Sequence, residues 1–461
     1  MLNKIVILVD RKMKGIDSFM QFLKGDFIVK NRFIVSCAMV FIYYAVSSVS
    51  VLASSADVNN VDFWRKNLKN GDTVIMNSND ITKYNKEMLR KQPTTNYDLK
   101  NYPKSVKGTA LQTMLQENDF PTGYVNGQPI SVSFKNQILS NMNMGAVAVD
   151  NSVKWGLAVR RLSLRLYPSI EGIFDDADDQ EFDSLQATIL NPGEAVVILY
   201  KSADQKWNFV QSNNYRGWVL ADNIAETNYK EWLKWQNPDR FLVVTAAELN
   251  LQTNSEALLL EMGSHLPVVG KDKNTYIVKL PQRQSDGKAA FIKKAVGVDD
   301  QVHLGNLPYT RANIIKQAFK FYGQPYGWGG LENSVDCSSF VMDIYRSFGF
   351  MMPRDADTQE VAVGRVQSVT PQNVQSVLDA TLPGATLHMD GHVMLYLGHM
   401  DDQYYVINSL GSYGDRNNVG SDGRLARVPV MQVVITDIKN TPLRSGKSFM
   451  EGLRTVKEWQ Y

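Results

Sequence analysis

The chain has 461 residues, 44% of them hydrophobic and 21% charged. At about 100–200 residues per domain this is three or four domains of ordinary globular composition. Lys and Arg number 49 against 47 Asp and Glu, a net charge of +2, which removes the electrostatic reason to expect a nucleic-acid partner.

Lys30, Asn31 and Arg32 precede an apolar run from Phe33 to Leu52, and small residues follow from Ala53 to Ala56. A positive flank, an apolar stretch and a small-residue exit form an export signal. At roughly 20 residues the run is also long enough to span a bilayer. Residues 1–56 are therefore read as a signal peptide or an inner-membrane anchor through 33–52, with both fates open. Either fate places the protein in the periplasm or cell envelope. The chain has two cysteines, Cys37 inside this segment and Cys337. An exported protein with one remaining cysteine has no internal disulfide. Such a thiol is buried and inert, paired with another chain, or reactive.

Residues 57–149 are polar, with amphipathic stretches such as SNDITKYNKEMLRKQ that carry Asn and Asp start signals. They read as a helical cap segment without a catalytic motif. From 150 to 228 the pattern turns to short strands, WGLAVRRLSLRLYPS, AVVILYKS and WNFVQSNNYRGWV, with turn signals every ~8–12 residues, as in a small barrel. Residues 229–305 read as a linker helix, within the stretch ETNYKEWLKWQNPD that begins at Glu226, and a second SH3-like stretch. The theme then repeats weakly, FLVVTAAELNLQTN echoing the earlier strands.

From 306 to 461 the layout becomes α+β. TRANIIKQAFKFYG is an amphipathic helix ended by Gly323. DCSSFVMDIYRSFG is a second, with Phe340, Ile344 and Phe348 on one stripe, Val341 and Tyr345 beside it, and Gly349 as its stop. GHVMLYLGHM and QYYVINSL follow as strands. Amide hydrolysis by a thiol needs a thiolate, a base to form it and a group to hold the base. Cys337 opens its helix, where the partial positive charge of the N-terminus is expected to lower the thiol pKa. The N–H groups there also suit an oxyanion. His392 starts the first strand and is the candidate base. Asn408 lies on the next strand, where its side-chain oxygen would accept from the imidazole and fix its tautomer. His388 and His399 are rival bases in the same region. The chain contains no HExxH motif and no Cys/His cluster of metal-ligand spacing, so no metal or cofactor is expected.

PYGWGG (325–330), DCSSF (336–340), PRDADTQ (353–359) and GHVMLYLG (391–398) resemble the NlpC/p60 family of cell-wall cysteine peptidases. The upstream strands resemble members with two bacterial SH3-like domains preceded by a helical cap. The resemblance implies a papain-like α+β catalytic domain behind two small SH3-like β-barrels and a mainly helical N-terminal segment. It implies hydrolysis of the bond from γ-D-glutamate to a diamino acid, such as meso-diaminopimelate, in peptidoglycan stem peptides or muropeptides. Cys337 would be the nucleophile and His392 the base. Asn408 stands where the family usually has His. Asp336, Ser338, Tyr326 and Arg354 would line the cleft. Tyr215 would meet the free amino end of L-Ala, with the acidic run from Asp175 to Glu181 as a source of a carboxylate for that ammonium. A non-catalytic wall-binding protein and a thiol amidase or acyltransferase are the alternatives.

Overall fold

The computed structural model describes residues 58–253, 256–297 and 299–461. The export or anchor segment lies outside them. Among the described residues no helix is long and apolar enough to cross a membrane.

The N-terminal segment carries helices α1 (Val61–Lys66), α2 (Ser78–Lys91), α3 (Gly108–Leu115) and α4 (Val132–Asn141) and short strands β1 (Val74–Met76), β2 (Ser105–Lys107), β3 (Tyr124–Val125), β4 (Gln128–Pro129) and β5 (Asp150–Ser152). Asn77 caps α2, accepting from the N–H groups of Asn79 and Asp80 at 2.9 and 3.1 Å, the local reason that helix starts there. The segment divides its packing. In α2, Tyr84 meets the Phe350 ring at 5.2 Å, and Asn85 exchanges bonds with Gly349 O and Met351 N at 2.8 and 2.9 Å. The part after α2 instead buries Leu99, Leu111, Leu115, Ile138 and Met142 in one core with Leu157, Trp207, Trp218 and Trp232.

That core belongs to the first β module. Its seven strands are β6 (Lys154–Ala158), β7 (Leu162–Arg165), β8 (Gln186–Leu190), β9 (Ala195–Lys201), β10 (Trp207–Gln211), β11 (Arg216–Leu220) and β12 (Ile224–Thr227). They run in the order β12-β6-β9-β10-β11-β7-β8, which leaves β8 at an edge. Helix α5 (Tyr229–Gln236) follows, capped by Asn228 and burying Trp232 and Trp235. The second β module comprises β13 (Phe241–Val244), β14 (Glu248–Gln252), β15 (Ala257–Glu261), β16 (His265–Asp272), β17 (Thr275–Arg283), β18 (Ala289–Gly297) and β19 (Val302–Leu304), with its own core around Leu242, Leu260 and Leu280.

In the C-terminal domain β20 (Tyr309–Thr310) pairs with β1. Then come α6 (Arg311–Phe319), α7 (Cys337–Arg346), α8 (Ala356–Val361), β21 (Arg365–Ser368), α9 (Val374–Ala380), β22 (Thr386–Met389), β23 (His392–Met400), β24 (Gln403–Val419), β25 (Leu425–Asp437) and β26 (Leu453–Glu458). The six strands form an antiparallel sheet, β21-β26-β22-β23-β24-β25. The apolar stripe expected on α7 is buried. Its polar side is buried too, because the β modules cover it: Met342 receives the Asn214 amide at 3.2 Å and Asp343 is fully enclosed.

Asp343 sits in a junction of three modules. Arg161 pairs with Glu261 at 2.5 Å and Arg346 with Glu194 at 2.7 Å. Both Asp343 oxygens lack a hydrogen-bond partner, and Arg346 stays 3.8 Å away. Burial, then the charge of Glu261, pushes this carboxyl well above its ordinary value, so the folded state favours the proton. A raised carboxyl pKa favours the fold only while the group is protonated. As pH climbs past the unfolded-state value, stability falls by up to about 1.4 kcal/mol per pH unit until the folded-state value is passed. Asp343→Asn is therefore expected to raise the melting temperature, and to raise it more at pH 8 than at pH 5. Equal shifts at both pH values in thermal melts would contradict the assignment.

Candidate active site

The site is built where the start of α7 meets the start of β23. Asp336 is the N-cap of α7, and its carboxylate accepts from Ser339 N at 2.8 Å while Ser339 Oγ accepts from Asp336 N at 2.9 Å. This reciprocal capping box fixes where the helix begins and so where Cys337 stands. Cys337 is buried, 8% exposed as a residue. The backbone N–H groups of Val393 and Ser338 point at it, so the sulfur lies against the residue that follows His392.

His392 Nε2 lies 2.8 Å from Asn408 Oδ1. The Asn408 amide nitrogen donates to Thr436 Oγ1 at 3.0 Å and to Val434 O at 3.3 Å. That orients the amide, so its oxygen faces the ring and Nε2 is the protonated nitrogen. Nδ1 of the neutral imidazole is left as an acceptor. The rivals are placed elsewhere. His388 is buried with Nε2 on Thr386 Oγ1 at 3.0 Å, and burial takes its pKa down to about 3. His399 is exposed near the far end of β23.

Asp336 and Arg354 form a buried fork: Nη2 to Oδ2 at 2.5 Å and Nη1 to Oδ1 at 3.2 Å. Ser338 Oγ bonds to both, at 3.2 Å to Asp336 and 2.8 Å from Arg354. Burial alone would raise the Asp336 pKa, but the Arg354 charge and its hydrogen bonds hold it below the usual carboxylate value. Tyr326 is 8% exposed and close enough to Cys337 and Asp336 for both to push its phenol upward, after burial itself. Tyr215, on the turn between β10 and β11, reaches Arg354 and Asp355. Asp336, Cys337, Ser338, Arg354, His392 and Asn408, with Tyr326 and Tyr215, thus lie around this corner, whereas His388 and His399 do not.

Two expectations need correction. The helix N-terminus was expected to lower the Cys337 pKa. Instead, burial first and the Asp336 charge second push the thiol up to about 12, against the opposing pull of the two N–H groups and Arg354. Desolvation outweighs the helix-end charge here. Burial also lowers the His392 pKa below 6.5, although Asn408 and Asp336 pull it upward. At neutral pH the resting pair is a thiol and a neutral imidazole. The acidic run does not supply the carboxylate beside Tyr215. Glu181 pairs with Arg427 at 2.7 Å, and Asp179 accepts from the N–H of Glu181 at 2.7 Å within its own loop. The carboxyl facing Tyr215 is Asp355, whose pKa burial pushes up to about 6. Asp355 stands inside PRDADTQ, so the motif pointed to it without assigning it a role.

A protonated resting thiol predicts the pH dependence of Cys337 alkylation by iodoacetamide. The rate is expected to keep rising from pH 6 to pH 9, as the small thiolate fraction grows about tenfold per pH unit. Mass analysis of the peptide carrying Cys337 separates it from Cys37. A plateau reached below pH 7 would instead show a preformed ion pair.

Residues 172–220 match the SH3 domain family of SH3b1 type, and residues 323–414 match the NlpC/P60 family. The gamma-D-glutamyl-L-lysine dipeptidyl-peptidase of Bacillus cereus is 28% identical over 151 residues, covering 32% of this chain and 43% of its own length. The Bacillus subtilis protein of the same name is 29% identical over 171 residues, 37% of this chain and 52% of its own. The chain spans about half the length of the curated relatives it matches. In overall fold it is similar to an NlpC/P60 endopeptidase from Photobacterium damselae subsp. piscicida, with a TM-score of 0.70, 19% identity, and coverage of 86% of this chain and 96% of that one. Residues 323–414 are thus similar to NlpC/P60 domains and residues 172–220 to SH3 domains of SH3b1 type, in a multidomain chain whose fold is similar to that of the Photobacterium endopeptidase.

Proposed function

We propose that this protein is a thiol endopeptidase that cuts peptidoglycan stem peptides between γ-D-glutamate and the diamino acid, after an L-Ala with a free amino end. The observation that carries the reading is the oriented His392–Asn408 pair beside a thiol at a helix start. Cys337 Sγ gives its proton to His392 Nδ1 and attacks the glutamyl carbonyl. The N–H groups at the start of α7, other than the one Asp336 takes, receive the oxyanion. The imidazolium then protonates the leaving amine, a thioester remains, and His392 activates the water that releases the acid. Tyr215 with Asp355 supplies an anionic, half-buried end to the cleft, suited to an ammonium that would otherwise be costly to desolvate. The similar Bacillus proteins are named dipeptidyl-peptidases, a term for enzymes that measure from a free amino end. Such a substrate places the protein outside the cytoplasm, at the cell wall.

The test is incubation with L-Ala-γ-D-Glu-meso-diaminopimelate, its L-Lys counterpart, N-acetylated versions and intact sacculi, with mass analysis of the products. Release of L-Ala-D-Glu from the free peptides, little from the acetylated ones, and none by Cys337→Ala is the expected result. Identical traces from wild type and Cys337→Ala would leave a binding protein. Products other than the free acid would indicate acyl transfer. Asn408→Ala is expected to lower kcat about 10–100-fold, because the imidazole loses the partner that holds its tautomer. The base works only when neutral, and its pKa is lowered. The acid limb of kcat/KM is therefore expected below pH 6.5, and a limb above pH 7 would refute the assignment of His392.

A further inference from the structure

Two side chains of β8, outside the C-terminal domain, bond to residues that hold the carboxylate next to the thiol, and the proposed chemistry uses neither of them. Thr188 is buried, and its Oγ1 accepts from Arg354 Nε at 2.8 Å. The remaining Arg354 nitrogens are committed to Asp336 and Ser338. A guanidinium is planar, so holding Nε sets the plane of the fork that meets Asp336. Gln186 Nε2 donates to Gly329 O at 2.8 Å and to Thr188 O at 3.0 Å. Gly329 N in turn donates to Asp336 Oδ2 at 3.0 Å. Both routes from β8 therefore converge on one carboxylate.

The approach is close. Gly329 has φ +57° and Gly330 φ +85°. A Cβ on Gly329 would stand 2.6 Å from Gln186 Cγ, and one on Gly330 2.7 Å from Ile189 Cγ2. The open edge of the seven-stranded sheet is covered by this turn rather than by another strand, as an exposed edge requires.

We propose that Thr188 is a positioning residue of the thiol centre: through Arg354 it fixes the Asp336 carboxylate beside Cys337. The proposal rests on Cys337 being the nucleophile. Without the hydroxyl, Arg354 Nε becomes a buried donor with no partner, and the guanidinium moves to find one. Asp336 then holds a less compensated charge beside the sulfur, which disfavours the thiolate. The charged and titratable groups around this chain of contacts are Asp336, Arg354, Tyr326 and His392 near the thiol, with Asp355, Asp357, Tyr215 and Glu117 on the Tyr215 side. Substitution at 188 removes none of these groups.

The experiment compares full-length wild type, Thr188→Val and Thr188→Ser. Valine keeps the volume and removes the acceptor, while serine restores it. Thr188→Val is expected to lower kcat roughly tenfold with KM within about twofold, the size of effect of one lost buried partner. It is also expected to slow Cys337 alkylation at every fixed pH from 7 to 9, with serine recovering most of both. A valine variant matching wild type in both readouts overturns the proposal. So does a serine variant as impaired as valine, because the defect would then lie in packing. Alkylation needs no substrate: if wild type releases no peptide while the valine variant still reacts more slowly than wild type and serine, the functional reading fails and the positioning role stands.

Discussion

The constraint on which this molecule turns is one buried ion pair. Asp336 and Arg354 are both almost wholly enclosed, and two charges removed from water regain their cost only if their remaining donors and acceptors are met. Here they are, by Gly329 N, Ser338, Ser339 N and Thr188. These partners come from the turn before α7, from α7 itself and from an edge strand of another module. Replacing such a pair with apolar residues often costs little stability. Its role here is orientation: it determines where α7 begins, which atoms border the sulfur and how a neighbouring module is seated.

The same enclosure explains the chemistry of the resting thiol. A helix end contributes only a fraction of a charge, whereas removal of solvent from a thiolate is a large penalty, and the adjacent carboxylate adds to it. The site therefore keeps its proton on sulfur at rest, with a neutral ring next to it. Burial acts in the same way on Asp355 and Tyr215 nearby, drawing both upward from their ordinary titration.

Much of the site is legible in the sequence because its signals are local. DCSSF carries a cap, a cysteine at the helix start and the beginning of a helical stripe within a few residues, and His392 and Asn408 lie on consecutive strands that bring their side chains together. The direction of the thiol pKa was not legible. It depends on burial and on contacts with Val393 and Arg354, which the local pattern around Cys337 does not record. Thr188 was missed for a related reason: in QATIL it reads as an ordinary strand residue, and only the edge position of β8 gives its hydroxyl a partner. The acidic run misled because exposed loop carboxylates commonly satisfy their own backbone, as Asp179 does.

The two adjoining glycines at 329 and 330 carry a consequence for how such chains can diversify. Their missing side chains form a notch into which Gln186 and Ile189 fit with no spare room. A β module borrowed from another protein would have to bring a matching edge, or the notch would be obstructed or left hollow. Recombination that swaps domains at the linkers is thus penalised at this seam. The C-terminal domain and the first β module should be inherited as a single cassette, with novelty entering through the hairpin of β24 and β25 or the outer loops.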